Sequence, residues 1–259
     1  MKKSLVALTL LAGMTGMNAN ATLINFDDTS LGGTGVVFDT IDWKPDTSHV
    51  TQTDTGNGIV DSTLDNFSEF GNTLLVNFQQ GTTIVTPATL AYEMFLDYTL
   101  TGQVGLQNVP FFGPMLGVLF SGGSVSLYAD TNKNGVLDNA TKVTLGTFSV
   151  AGGNCGVSAV SGVGSCNVSL RFSATPGYFK VGGTDLSVFG PVNSYSNLIV
   201  TVQSITGFSP VYSGAGASQQ FTITHDGNQT FTVSEPATVA ALGLGLLGLG
   251  FSRRNKKQA

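Results

Sequence analysis

Apolar and polar residues alternate strictly in several stretches of this 259-residue chain. The alternating apolar side chains are Leu90, Tyr92, Met94, Leu96, Tyr98 and Leu100 in LAYEMFLDYTL, and Val168, Leu170 and Phe172 in CNVSLRFSA. A period of two residues indicates a β-strand that buries one face. Between the two ends of the chain, no stretch shows a sustained helical period with caps. The pattern therefore predicts an all-β fold.

Turn-forming sequences separate these strands. Asp226-Gly227 predicts a hairpin turn, with His225 exposed beside it. The apolar phase of KVTLGTFSV shifts across Gly146, which predicts a β-bulge. Together with the alternation, these signals predict a single antiparallel domain, either a β-sandwich or a jelly roll.

Two groups of apolar residues leave alternatives open. Residues 106–119 are interrupted by two prolines, so they form either a loop over the core or an exposed patch. The rarity of large exposed patches favours the core. Several aromatic residues either line a platform for sugar rings or fill the core, and their strand spacing favours the core. These residues are Trp43, Tyr92, Tyr98, Phe111 and Phe112.

The N-terminus has the three-part order of a secretory signal. Lys2 and Lys3 precede an apolar stretch, and Ala19-Asn20-Ala21 supplies small residues for cleavage. We expect the mature chain to begin at Thr22. An exported chain meets an oxidising compartment, so we expect its two cysteines, Cys155 and Cys166, to form a disulfide.

The C-terminus has an uncharged apolar run, residues 237–251, followed by basic residues. As a helix, this run spans about 22 Å, compared with the ~30 Å hydrocarbon core of a bilayer. Clustered Lys and Arg favour the cytoplasmic side of a membrane. The run is therefore predicted to be a transmembrane helix, and the residues that stop transfer are Arg253, Arg254, Lys256 and Lys257.

This tail resembles the PEP-CTERM sorting signal. The usual signal opens Val-Pro-Glu-Pro, whereas this chain has Val233, Ser234, Glu235 and Pro236, so the first proline is replaced. The resemblance implies a bacterium with an outer membrane and export through its inner membrane, which the tail enters transiently. It also implies that an exosortase, a membrane-embedded sorting enzyme, removes the tail. The protein is then released or attached to surface polysaccharide.

These signals divide the chain into three parts. They are a signal peptide at 1–21, an exported all-β domain at 22–234, and a sorting tail at 235–259 with its apolar span at 237–251 and basic end at 252–259. The exported domain carries five basic and fifteen acidic residues, a net charge of −10. Such a negative field repels nucleic acid, so we expect no nucleic-acid partner.

An oxygen-rich loop, DTNKNGVLD, matches the start of an EF-hand calcium loop. The predicted Ca²⁺ ligands are Asp130, Asn132, Asn134, the carbonyl of Val136, and Asp138. Position twelve is Thr141 instead of glutamate, and no helices are expected beside the loop. The alternative is a plain hairpin closed by a turn at Asn134-Gly135, which needs no cofactor.

The sequence contains no motif for a catalytic serine, a zinc-binding helix or a phosphate-binding loop, so we expect no enzyme. The overall layout also resembles flocculation-associated PEP-CTERM proteins. We therefore expect a non-catalytic protein of the cell surface or extracellular matrix, associated with exopolysaccharide and active in floc or biofilm cohesion. A lectin-like carbohydrate-binding module is the alternative. A glycan hydrolase that uses Glu93 and Asp97 is a third possibility.

Overall fold

The computed structural model describes residues 21–109 and 113–233. These residues form mostly strands, with two short 3-10 segments at Thr29–Leu31 and Leu186–Val188 and one helical turn at Gly190–Asn193. The strands are β1 (Ile24–Phe26), β2 (Val36–Phe38), β3 (Thr40–Thr53), β4 (Asp65–Gln80), β5 (Thr83–Ile84), β6 (Glu93–Val109), β7 (Gly113–Asp130), β8 (Lys142–Ser158), β9 (Gly164–Ala174), β10 (Phe179–Val181), β11 (Thr184–Asp185), β12 (Ser194–Thr206) and β13 (Ser218–Val233).

Eight long strands form one large antiparallel sheet, which follows the order β3-β13-β12-β9-β8-β7-β6-β4, with β5 at its edge. Because β3 also pairs with β4, the sheet closes on itself and its opposite walls face each other across one core, as in a sandwich. The all-β antiparallel prediction is confirmed. Jelly-roll connectivity is wrong, because each long strand pairs with the next long strand along the chain.

A second sheet, in the order β11-β10-β1-β2, covers one end of the closed sheet. Phe26 of β1 stacks on Phe179 of β10, with ring centroids 4.8 Å apart. Phe38 of β2 packs against Phe78 and Phe231, which lie at the ends of β4 and β13. All five rings are buried, so the small sheet is held by aromatic packing. We call this the capped end of the fold.

Alternation along the strands matches burial as predicted. In β9 every second residue from Cys166 to Ala174 is buried, and the inward face of β6 is buried from Met94 to Leu100. Trp43, Tyr92 and Tyr98 are at most 8% exposed, so they belong to the core and form no sugar platform. Phe111 and Phe112 lie outside the described residues.

The predicted hairpin at Asp226-Gly227 is wrong. β13 runs straight through both residues, because strands pair with it on either side and hold it extended. The Asp-Gly pair instead accompanies a bulge between His225 and Gly227 in the pairing with β3. His225, predicted to be exposed, is therefore an interior residue with 7% exposure.

The described parts of the stretch 106–119, residues 106–109 and 113–119, form neither a loop over the core nor a separate patch. They continue β6 and β7 as paired strands, with Leu106 opposite Leu116. Leu116 is buried and Leu119 is half exposed, because the two residues point to opposite faces of the sheet.

The bulge predicted at Gly146 is confirmed. Leu127 pairs with Gly146 and Tyr128 pairs with Thr144, so Leu145 has no partner across the ladder. A Cβ at Gly146 would collide with the ring of Phe172, which explains why glycine is needed there. The predicted disulfide is also confirmed, since Cys155 and Cys166 lie opposite each other on β8 and β9 and are bonded.

Candidate functional site

Four neighbouring strands, β12, β13, β3 and β4, present rows of polar side chains on the outer face of the large sheet. Register places Thr206 beside Thr222, Thr222 beside His49, and His49 beside Phe70. These side chains point outward, because the adjoining residues in sequence, such as Phe221, are buried. Phe70 is 54% exposed, an aromatic ring on an otherwise hydroxyl-rich surface.

A groove of about 300 Å³ lies along these rows, and we call it the aromatic groove. The imidazole of His49 stacks on the ring of Phe70, with centroids 5.2 Å apart and planes inclined by 23°. The polar side chains that line the groove belong to Thr51, Thr206, Gln220 and Thr222. Their hydroxyl and amide groups both donate and accept hydrogen bonds.

The aromatic groove suits a neutral ligand that is rich in hydroxyl groups. Within the described ranges no Lys, Arg, Asp or Glu lines it, so it offers no fixed charge to attract an ion. The stacked rings offer an apolar surface to the C–H face of a sugar ring, and the surrounding amide and hydroxyls can bond sugar hydroxyls. None of the groove residues was predicted as a site from the sequence, although Phe70 on the polar face of DNFSEFGN was a usable signal.

Four hydrogen-bonding side chains lie close together inside the closed sheet, and we call them the interior cluster. They are Ser48, Glu69, Tyr98 and His225. The Ser48 hydroxyl donates to Oε1 of Glu69 at 2.6 Å, and the Tyr98 hydroxyl is hydrogen-bonded to Nε2 of His225 at 2.6 Å. They come from β3, β4, β6 and β13 respectively, the strands beside the closure of the sheet. The cluster therefore ties together the walls on both sides of the closure.

Backbone pairing is weakest where the interior cluster lies. The β3–β4 ladder is interrupted between Trp43 and His49, and the Ser48–Glu69 hydrogen bond lies at the edge of this gap. Gly71 lies in the same part of β4, and a Cβ there would be 2.6 Å from the Tyr98 hydroxyl. Glycine at this position leaves room for Tyr98 to reach His225.

Burial favours the uncharged forms of the interior cluster. Desolvation raises the pKa of Glu69, and the hydrogen bond from Ser48 opposes it. Desolvation lowers the pKa of His225, against the attraction of Asp46 and Asp226. Apolar side chains and a cavity of about 80 Å³ surround Glu69, so the surface it keeps accessible faces the interior. The cluster is thus a structural network inside the core.

Glu69→Gln tests this electrostatic account. The pKa of Glu69 in the folded state is raised above its usual 4.5, so above pH 4.5 the folded state binds more protons than the unfolded state. The stability of the wild-type protein therefore falls as the pH rises above 4.5. Glutamine keeps the acceptor for Ser48 and does not titrate. At pH 7.5 the variant should melt about 4–8 °C higher than wild type, because it avoids about 2 kcal/mol for burying a charged carboxylate.

The melting temperatures of both proteins are measured by circular dichroism at pH 4 and pH 7.5. At pH 4 the two proteins should melt at nearly the same temperature, since Glu69 is mostly protonated in both the folded and the unfolded state. Equal melting temperatures at pH 7.5 as well would contradict the account.

The predicted calcium loop is closed by its own hydrogen bonds. Asp130 is fully buried, and its carboxylate accepts the backbone N–H groups of Asn132 and Asp138 and the hydroxyl of Thr141, at 2.5–2.9 Å. These bonds hold the pKa of Asp130 below its usual value although burial opposes them. Within 21–109 and 113–233, no three His, Cys, Asp or Glu side chains come together as a metal site.

The remaining predicted ligands are exposed or half-buried parts of the loop. Asn134 accepts a hydrogen bond from the backbone N–H of Val136, whose side chain is 64% exposed. Glu93, considered as a hydrolase carboxylate, instead accepts the N–H of Gly135 at 2.8 Å and so fixes this loop to β6. Ca²⁺ binding by the loop stays a prediction.

Melting the wild-type protein in millimolar Ca²⁺ and in chelator tests that prediction. With two carboxylates and no glutamate at position twelve, we expect an affinity in the range of about 10⁻⁴ to 10⁻³ M. Binding to the folded state would then raise the melting temperature by about 2–4 °C at tenfold excess over Kd. Identical curves would assign the loop to a plain strand connection.

The two ends of the described domain meet at the capped end. The backbone N–H of Thr22 donates to the carbonyl of Phe231 at 2.7 Å, and that of Val233 donates to the Thr22 hydroxyl at 3.1 Å. The predicted sorting residues and stop-transfer residues follow Val233 and lie outside the described residues. In the part of the chain that is described, no helix is long and apolar enough to span a bilayer.

Comparison with known proteins identifies one segment of the chain. A family model described as the PEP-CTERM protein-sorting motif matches residues 232–254. No curated protein and no solved structure matches the chain. The match therefore begins in the last two residues of β13 and continues through the tail.

Proposed function

We propose that this chain, whose residues 232–254 match the PEP-CTERM protein-sorting motif, is sorted by an exosortase to the cell surface and acts there as a non-catalytic matrix protein. We propose that it binds exopolysaccharide through the aromatic groove. The observation that carries the proposal is the exposed stack of His49 on Phe70 among hydroxyl and amide side chains. Export would place the protein among extracellular polysaccharides, and the groove offers a surface that is chemically suited to sugars.

The rest of the outer surface supports a role among polysaccharide chains. Outward positions of β9 and β13 carry mainly Ser, Thr, Asn and Gln, so the wall can form many weak hydrogen bonds to hydrated glycans. Many such contacts, none of them strong, suit a protein that holds a matrix together by repeated engagement. We therefore propose that it contributes to cohesion of flocs or biofilms.

A lectin-like module is the second candidate function, favoured by the size of the same groove. Its volume of about 300 Å³ lies at the lower end of the ~300–1,000 Å³ of small-molecule sites. The two functions differ in what they bind. A lectin-like module binds a defined short oligosaccharide saturably, whereas a matrix protein binds the polymer and needs its length.

Phe70→Ala tests the groove. We expect the variant to bind purified exopolysaccharide from the native host about tenfold more weakly than wild type, since aromatic packing contributes about 0.5–1.5 kcal/mol. Ile199→Ala is the matched control, because Ile199 is an exposed apolar residue on the outer face of β12. Its binding, measured by co-sedimentation with the polymer, should equal that of wild type.

A deletion strain extends the test to cells. Cells that lack the protein should stay dispersed, and the Ile199→Ala protein should restore flocs while the Phe70→Ala protein does not. Equal polymer binding by wild type and Phe70→Ala would exclude the groove as the binding site. Restoration of flocs by the Phe70→Ala protein would separate cohesion from the groove.

A further inference from the structure

The sorting motif follows the folded domain without a linker. β13 ends at Val233, and the apolar run 237–251 starts after Ser234, Glu235 and Pro236. Even fully extended, the four peptide steps from Val233 to residue 237 span at most about 14 Å. While the tail is inserted, the end of β13 must therefore lie close to the hydrocarbon layer.

The bilayer leaves little room between the fold and the hydrocarbon. Its total thickness of about 40–45 Å includes a core of about 30 Å, so each headgroup layer is about 5–8 Å deep. A strand end tethered within about 14 Å of the core is at most about 6–9 Å above the headgroups. The surface around Val233 then faces the membrane.

The surface around Val233 is the capped end, and it exposes several aliphatic side chains. Ser194 pairs with Val233, and Val192, two residues earlier, is 65% exposed. Leu23 follows Thr22, which is hydrogen-bonded to β13, and it is 47% exposed. Val188 lies with Val192 in the connection between β11 and β12 and is 71% exposed. We call Leu23, Val188 and Val192 the aliphatic rim.

We propose that the capped end rests on the outer leaflet of the inner membrane, with the aliphatic rim in the headgroup layer, until the tail is cut. The proposal rests on the sorting route given above, because it needs an inserted tail. Three partly exposed aliphatic side chains are too few to hold the domain on lipid alone, whereas the tether keeps them at high local concentration next to it. Removal of the tail therefore releases the domain.

Fluorescence quenching tests the orientation. The full chain carrying Val192→Cys is labelled with an environment-sensitive fluorophore and reconstituted into vesicles of phosphatidylethanolamine and phosphatidylglycerol that contain a headgroup-level quencher lipid. The native cysteines are bonded to each other, so the introduced thiol takes the label. Val160→Cys is the matched control. Val160 is an aliphatic residue, 80% exposed, and it lies just after β8 at the end of the fold opposite the capped end.

We expect quenching at position 192 at least about twofold stronger than at position 160. A flexible linker of about twelve Gly and Ser residues inserted after Val233 should reduce it to the level of position 160, since such a linker reaches about 20 Å. A labelled chain that ends at Val233 should show no quenching with the same vesicles.

Flotation of the vesicles separates the two ways in which the idea can fail. If the full chain floats with the vesicles but positions 192 and 160 are quenched equally, the orientation is wrong while tail insertion stands. If the chain does not float, the inserted tail itself is excluded, and the orientation with it. Polysaccharide binding by the aromatic groove is measured without the tail and is independent of both results.

Discussion

Replacing Asp65 with alanine is expected to lower the melting temperature of the domain by on the order of 10 °C. The Asp65 side chain is fully buried at the end of the fold opposite the small sheet. Its carboxylate accepts the Tyr212 hydroxyl at 2.7 Å, the Thr55 backbone N–H at 3.0 Å and the Gln52 amide at 3.2 Å. Alanine leaves three donors without an acceptor, at a cost of about 3–5 kcal/mol.

Asp61→Ala is the control for this result. Asp61 also accepts a backbone N–H, from Thr63 at 2.6 Å, but it lies in a more exposed loop where water replaces the lost bond. Thermal melts should show a shift of at most a few degrees for Asp61→Ala. If both variants melt at the same temperature, the hydrogen bonds of Asp65 do not fix this end of the fold.

The double substitution Glu235→Ala with Pro236→Ala is expected to abolish removal of the tail. The matched sorting motif contains both residues, and without them the exosortase loses the segment that defines the family. Wild-type protein from the native host should start near Thr22 and lack everything after about Glu235. The double variant should keep its basic C-terminus, and intact-mass measurement distinguishes the two.

Ser234→Pro is the matched control for sorting, because it restores the usual Val-Pro-Glu-Pro opening. Its processing should be at least as complete as that of wild type. A wild-type mature mass that still includes Arg253 and the residues after it would overturn the sorting assignment.

The antiparallel β fold could be predicted from the sequence because alternation is local. In the runs that contain Met94 and Val168, alternation predicts which face of the strand is buried, and it does so without knowledge of the strands that pair with them. The closure of the sheet is not local. It requires β3 to pair with β13 as well as with β4, and β3 and β13 are separated by most of the described chain, so no local pattern predicts their pairing. Asp226-Gly227 is an example: its sequence strongly predicts a turn, but pairing with strands on both sides keeps it extended.

The sequence marks Phe70 as an exposed aromatic residue, but its neighbours in the candidate site could not be predicted, for the same reason. His49 and Phe70 become neighbours only when β3 pairs with β4, and Thr222 joins them from β13. The disulfide was predictable because two cysteines in an exported chain leave one pairing. His225 was misplaced because its interior position follows from the unbroken β13.

The position of β13 has a consequence for the timing of export. Among the described strands β13 emerges last, and its neighbours β12 and β3 each have an unpaired edge until it pairs with them. A nascent chain that has delivered Thr22 through β12 thus has two open sheet edges and an unsealed interior. Those edges can be sealed only when the residues that lead directly into the sorting signal arrive. We therefore expect the fold to be completed and the sorting signal to be presented at nearly the same point of export.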